Sequence, residues 1–313
     1  LYFISGDLNL TATQCTNAMF FNKQMLADYF GDLNLYSVVK SGGWTIDYFG
    51  DLIKGVYADL NGNSQRDKED GYGVGLHGVS IPVDAYLDAF DLPITTKNAD
   101  GLPELSYNTD RMVSAYGKML ALMHTNGGVD FEQGITLEIY YMMQDKFKAD
   151  ENMFLIDIFE VTDKLRHMKS DYGVLPLFKY DEAQQGYYTN AADIYSLLSV
   201  TVDTADAEAT GAVFEYMAQK SYELTKPAYF EIALKQKYSR TNTDANMYDL
   251  ILAGLRFNFG FVYSVSIGNV SQLWRNLLDA NSDKIASSYA SIEKLSKKSL
   301  EKLIKKYQEM AEQ

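Results

Sequence analysis

The segment "ADLNGNSQRDKEDGYGVG", Ala58 to Gly75, is dense in oxygen-bearing side chains. Counting Asp59 as position 1, such side chains fall at position 3 (Asn61), 5 (Asn63), 9 (Asp67) and 12 (Asp70). Alternate residues of a tight coil point inward, and a hard cation such as Ca2+ is held by oxygens at positions 1, 3, 5, 7, 9 and 12 of such a loop. Gln65, at position 7, can offer its backbone carbonyl. Ser64 stands where the turn prefers Gly, and Asp70 is shorter than the usual bidentate Glu. A solvated Asn/Gly-rich turn is the plainer alternative. If Ca2+ binds, one coil fills its coordination sphere, so the expected role is structural, not catalytic.

Other chemistry finds less support. The sequence has no G-x-S-x-G and no P-loop. His77, His124 and His167 share no metal-ligand spacing. With 42 Asp and Glu residues, a glycosidase-like carboxylate pair can be picked anywhere, so that signal is empty. Cys15 is the single cysteine, which excludes an intrachain disulfide and fits a buried apolar role. The 24 tyrosines are a more specific feature, because aromatic faces suit the C–H-rich faces of sugars. Trp44, Tyr180, Tyr187, Tyr188 and Trp274 stand in settings where such stacking, or ordinary packing, could occur.

These residues need a scaffold, and the pattern predicts an α/β one. "LYFI" (1–4) reads as a strand, and "TNAMFFNKQMLADYFG" as a helix ending at Gly31. Thr45 is placed to cap a helix running into the acidic loop, and "GYGVGLHGV" reads as a short strand after it. "TDRMVSAYGKMLALMHTNGG" is an amphipathic helix. "MFLIDIF" (153–159) is a buried strand, "EVTDKLRHMKSD" a helix, and "YGVLPLF" a strand cut by Pro176. "DIYSLLSVT" (193–201) reads as a strand, 205–224 as a long helix, and the chain from Pro227 as almost wholly helical. The terminal helix places Leu295, Leu300, Ile304 and Tyr307 on its apolar side. Strands alternating with helices, then a helical tail, indicate α/β.

Length and charge narrow the function. The 313 residues, 47% apolar, are enough for substantial cores, and composition marks no lobe or domain boundary. No apolar run is long enough to span a membrane. A formal charge of −14 disfavours nucleic acid as a partner.

Taken in order, five segments resemble the bacterial extracellular solute-binding proteins of the family 1, sugar-binding type. They are "MFFNKQML", "VKSGGWTIDYFGDLIK", "DLNGNSQRDKEDGYGVG", "LRHMKSDYGVLPLFKYDEAQQGYY" and "MYDLILAGLRFNFGFVY". Phe178 departs from the pattern, which usually has a second proline there. The resemblance also implies an N-terminal section of one lobe, with an export signal and often a lipid-anchored cysteine, ahead of Leu1. It implies a two-lobed, periplasmic-binding-protein-like (type II) α/β fold, with part of one lobe missing and a helical C-terminal tail. All of 1–313 is then one solute-binding domain. The implied function is capture of an oligosaccharide between the lobes for an ABC importer, with no bond made or broken. Its partners are the permease subunits, its state a monomer, and its place extracellular or periplasmic. Trp44, Tyr187 and Tyr188 are the implied ligand-facing rings. Some members carry a calcium-stabilised loop, which adds weight to Asp59, Asn61, Asn63, Gln65, Asp67 and Asp70 as Ca2+ ligands. A glycan hydrolase and a calcium-dependent glycan-binding adhesion module are the competing expectations.

Overall fold

The computed structural model describes residues 4–229 and 242–311. Ten strands are present among them: β1 (Asn17–Asn22), β2 (Tyr57–Ala58), β3 (Gly71–His77), β4 (Thr95–Lys97), β5 (Pro103–Leu105), β6 (Val129–Glu132), β7 (Asn152–Ile158), β8 (Tyr172–Leu175), β9 (Thr189–Asn190) and β10 (Leu255–Arg256). The helices of eight or more residues are α1 (Lys23–Phe30), α2 (Ile46–Ile53), α3 (Asp110–Thr125), α4 (Leu137–Lys148), α5 (Ala207–Lys220), α6 (Asn242–Ala253), α7 (Gln272–Asp279) and α8 (Ile285–Ala311).

A mixed sheet of order β2-β3-β7-β1-β8 forms the centre, with β6 also paired to β3. β3 runs parallel to β7, while β1 lies antiparallel between β7 and β8. Every residue of β1, β3 and β7 is buried, as expected of strands covered on both faces. The continuous run Ala18–Phe21 explains why residues 17–22 form a strand, not the first turns of the expected helix. Four successive buried residues cannot share one helical face. The helix begins at Lys23, after the Asn22 side chain accepts from the Met25 N–H at 3.0 Å, and it stops at Gly31 with φ 62°.

Close helix–sheet packing depends on the glycines of β3. A Cβ on Gly73 would lie 2.6 Å from the Ile53 side chain of α2, and one on Gly75 would lie 2.3 Å from Met143 Sδ of α4. The Thr45 hydroxyl caps α2 through the Tyr48 N–H, as the sequence indicates, and Thr109 caps α3 through Met112. The strand expected at 153–159 is β7, and β8 ends immediately before Pro176.

The expected strand at 193–201 is absent. In its place Leu198 makes one antiparallel bridge to Ile4. Ile194, Leu197 and Val200 are exposed and meet no sheet to join. The expected opening strand 1–4 lies outside the described residues apart from Ile4. The helix expected over 205–224 is α5 and its continuation through a wide-turn segment to Thr225. α8 buries Tyr289 and Leu300 but leaves Leu295 64% exposed.

Candidate functional site

At one end of β1 the chain runs beside a separate two-stranded sheet of β9 and β10. Residues before β1 run beside residues after β9: Thr16 bridges Ala191 antiparallel, and the Ala192 N–H donates to the Cys15 carbonyl at 2.8 Å. The Thr189 hydroxyl donates to the Asn17 carbonyl at 2.8 Å, and Asn17 Nδ2 to Asn190 Oδ1 at 3.0 Å. β10 pairs in parallel with β9 on the other side.

Beside this crossing lies a cavity of about 250 Å³. Asp193, Tyr195 and Leu197 form one wall, immediately after the crossing strand. Phe261, Val262, Ser264, Val265, Ser271, Gln272 and Arg275 form the other. Phe257, 51% exposed, meets Tyr195 edge-on at 5.5 Å between ring centres. Arg275 projects from α7, which is anchored by the fully buried Trp274 through its indole N–H to the Val83 carbonyl at 3.1 Å. Aromatic rings, a guanidinium, an amide and hydroxyls thus surround a space of one or two small-molecule rings. A larger open groove of about 480 Å³ between α2 and α3 has no aromatic ring in its lining.

Beneath the cavity, Arg275 pairs with Asp84, which is 1% exposed. Burial pushes the Asp84 carboxyl up to about 7; Arg275 opposes this and Asp193 reinforces it. Asp84 Oδ1 is buried and has no hydrogen-bond partner. Burial likewise pushes Asp88 up to about 7, against Arg256, Asn190 and Asn258.

A second polar group lies at the same end of the sheet. Tyr140 donates to Asp157, Gln144 Nε2 donates to the other Asp157 oxygen at 2.7 Å, and Lys164 donates to Gln144 Oε1 at 2.7 Å. Burial pushes Asp157 up to about 6. His77 Nδ1 accepts from the Val79 N–H, and burial lowers the imidazole to about 4, so the ring is neutral at pH 7. His124 bonds the Leu278 carbonyl and His167 the Arg166 guanidinium. Among the described residues, the bonds recorded for the three histidines involve no carboxylate, hydroxyl or thiol. No acid–base dyad of that kind is built.

The expected ligand-facing rings lie elsewhere. Trp44 is fully buried, donates its indole N–H to the Pro176 carbonyl at 3.0 Å, and packs on Phe49 and Phe154. Tyr187 is 8% exposed and donates to the Val39 carbonyl at 3.0 Å. Tyr188 is half-buried, with the Arg256 guanidinium 3.3 Å over its ring. None of the three lines the cavity. Trp44 and Tyr187 are core residues, because each spends its polar atom on a backbone carbonyl. Tyr180 is held by Arg111 and Lys118 over its ring. Phe178 stacks between Phe49 and Tyr86, so it fills core space where a proline was expected. Tyr195, Phe257, Phe261 and Arg275 carry no spacing signal; only the folded crossing brings them together.

The acidic loop joins β2 to β3 as the tip of a hairpin, at the opposite end of β3 from His77. Asp59 accepts from the Gly62 and Ser64 N–H groups at 2.7 and 2.8 Å, Asn61 from Asn63, and Asn63 from Gln65. Gly62 and Ser64 have φ of 72° and 60°, so the coil turns at positions 4 and 6. The Asn61 and Asn63 amides both reach Asp67, and these hydrogen bonds, with the Glu69 N–H, lower the Asp67 carboxyl. Asp70 is fully buried and accepts from the Tyr57 hydroxyl and the Leu60 and Asp67 N–H groups. Among the described residues no three His, Cys, Asp or Glu side chains converge as a metal site. The loop holds oxygen donors of the kind that suit Ca2+, but the Asn61 and Asn63 amides turn their nitrogens to Asp67 while their oxygens accept from the Asn63 and Gln65 N–H groups, and the Gln65 carbonyl accepts from the Tyr57 hydroxyl.

No protein-family profile matches the sequence, and no curated protein does. Solved structures do match. A maltose/maltodextrin-binding domain from Bdellovibrio bacteriovorus bound to maltotriose is 13% identical, with a TM-score of 0.56 over 97% of this chain and 73% of that one. An ABC substrate-binding protein from Listeria monocytogenes in complex with cycloalternan is 11% identical, with a TM-score of 0.57 over 92% and 69%. UgpB from Mycobacterium tuberculosis in complex with glycerophosphocholine is 13% identical, with a TM-score of 0.57 over 92% and 70%. The chain therefore has the two-lobed, periplasmic-binding-protein-like α/β fold with helices at its C-terminus. No helix among the described residues is long and apolar enough to cross a membrane.

Proposed function

We propose that this chain is a family 1 solute-binding protein that captures a carbohydrate beside the crossing strands, for delivery to the permease of an ABC importer. The observation that carries this reading is the cavity between residues 193–197 and 261–275. It lies beside the paired passage of Thr16 and Ala191, where a change in the angle between the two segments would open or close it. Tyr195 and Phe261 supply apolar faces for sugar rings; Gln272, Ser264 and Arg275 supply partners for hydroxyls. Arg275 is paired with Asp84, and Asp193 adds a negative charge at the rim. That balance favours a neutral polyhydroxyl ligand over a phosphate. The setting that fits is extracellular or periplasmic, and the working unit a monomer.

Calcium belongs to the reading as a structural ion in the 59–70 hairpin loop, held by Asp59, Asn61, Asn63, Asp67 and the Gln65 carbonyl. Asp70, with its oxygens taken by Tyr57, Leu60 and Asp67, closes the loop instead of ligating. Melting with millimolar Ca2+ and with chelator tests this: a rise of several degrees is expected, and identical curves leave a hydrogen-bonded turn.

Calorimetric titration with a panel of maltose-, cello- and laminari-oligosaccharides tests the main proposal. Saturable binding to at least one member is expected, weakened at least tenfold by Tyr195→Ala, with no new reducing ends formed. Release of reducing sugar would move the chain to the glycan hydrolases. Binding that requires Ca2+ and survives Tyr195→Ala would move it to a calcium-dependent adhesion module.

A further inference from the structure

Helix α8 carries a row of charge that the sugar-binding reading does not use. Lys294, Lys298, Lys302 and Lys306 follow one another at spacings of four residues, and all four are exposed. None has an ion pair among the described residues, whereas their neighbours Lys297 and Lys305 are matched to Glu293 at 2.7 Å and Glu309 at 3.5 Å. At 100° per residue the row is turned about 160° from the face that α8 buries, which holds Tyr289, Ser296 and Leu300. Tyr307 fixes that inner face further along, its hydroxyl 2.7 Å from that of Tyr263. The four ammonium groups therefore span about 18 Å, winding gradually across the solvent side of a helix held firmly at its back.

The rest of the surface has the opposite sign. Residues 285–311 contain six lysines and three glutamates, a net +3, in a chain of formal charge −14, so the remainder carries −17. Leu295 lies within the row and is 64% exposed, an apolar side chain that water does not favour.

We propose that this face of α8 docks on the anionic headgroup surface of a membrane. A row of unpaired lysines with an apolar side chain among them is the arrangement that negative lipid surfaces attract, and the attraction acts within a Debye length. The negative remainder is repelled by the same surface. The protein is thus oriented as well as held, with α8 against the lipid. The inference does not depend on the identity of the cleft ligand.

Flotation with large unilamellar vesicles tests it. Vesicles of phosphatidylcholine with 30% phosphatidylglycerol should carry the full chain at 50 mM NaCl and release it at 500 mM; pure phosphatidylcholine vesicles should not carry it. Changing all four lysines to Gln should lower the bound fraction at least tenfold, and changing them to Glu should abolish binding. Exchanging Lys40, Lys54, Lys97 and Lys169 for Gln should change it less than twofold. Circular dichroism of each variant reports whether α8 stays folded, and the Gln set keeps the test valid if the Glu set unfolds. Three results would each overturn the proposal: no flotation with anionic vesicles, equal losses from both Gln sets, or flotation abolished by equimolar soluble polyphosphate at low salt but indifferent to lipid charge.

Discussion

The central sheet and α5 are built on opposite terms. Around β1, β3 and β7, side chains are buried on both faces, and large rings such as Trp44, Phe49, Phe154 and Phe178 interlock with centroid distances of 4.9–6.1 Å. α5 buries none of its 14 residues, although Val213, Tyr216 and Met217 are apolar. Its start is well made, with the Asp206 carboxylate capping the Ala209 N–H at 2.8 Å. Helical order thus comes from capping and propensity in one region and from packing in the other. Local signals can specify a helix without anything to hold it, so stability should be spread very unevenly along the chain.

The strongest way to break this contrast is Trp44→Ala. Loss of a fully buried indole and its bond to Pro176 should cost about 3–5 kcal/mol in urea denaturation; a cost under about 1 kcal/mol would mean the core is not continuous there. Gly75→Ala should come next. The added methyl collides with Met143, and overpacking of this kind costs about 1–3 kcal/mol.

The pH response should also belong to the sheet region. Asp84, Asp88 and Asp157 are raised to about 7, 7 and 6, so the folded state holds protons that the unfolded state releases from about pH 4 upward. Their contribution is present below pH 4 and is lost as pH rises through 6–7. His77, lowered to about 4, acts the other way: its contribution is present above about pH 6.5 and is lost as pH falls towards 4. Three groups against one predict a melting temperature that falls between pH 5 and pH 8. Asp84→Asn should flatten that fall by an amount on the order of 1–2 kcal/mol. Smallest of all, Val213→Ser and Tyr216→Ser on α5 should each change stability by less than about 0.5 kcal/mol. A larger loss, by the same denaturation assay, would show that α5 has a partner face in solution.

Much of the sheet region could be read in advance for the same reason that it is stable. Thr45 as a cap, Gly31 as a stop, and β7 and β8 as strands are local statements, and each has its counterpart in the structure. Residues 17–22 were read with the wrong period because a fully buried strand shows no alternation. Residues 193–201 have strand composition, but a strand needs a neighbour, and pairing is not written in a single segment. The cavity was the least legible part. Tyr195, Phe261 and Arg275 are 80 residues apart at the extremes, and their proximity depends on where the chain crosses itself. Trp44 and Tyr187 stood out as rings beside glycines, yet backbone carbonyls claim their polar atoms. Nothing in a linear motif separates a ring offered to a ligand from one that closes a core.

The paired passage at Cys15–Asn17 and Thr189–Ala192 has a mechanical meaning. Two segments, joined by the Thr16–Ala191 bridge about 5 Å apart, make a narrow strip. Such a strip yields readily when bent across its thickness and strongly resists shear in its own plane, as a leaf spring does. β10, bonded along one margin, widens it on that side only. Motion across the cavity should therefore follow a single swinging coordinate. A crosslink between positions 195 and 265 would then lock that coordinate and leave the sheet beneath it undisturbed.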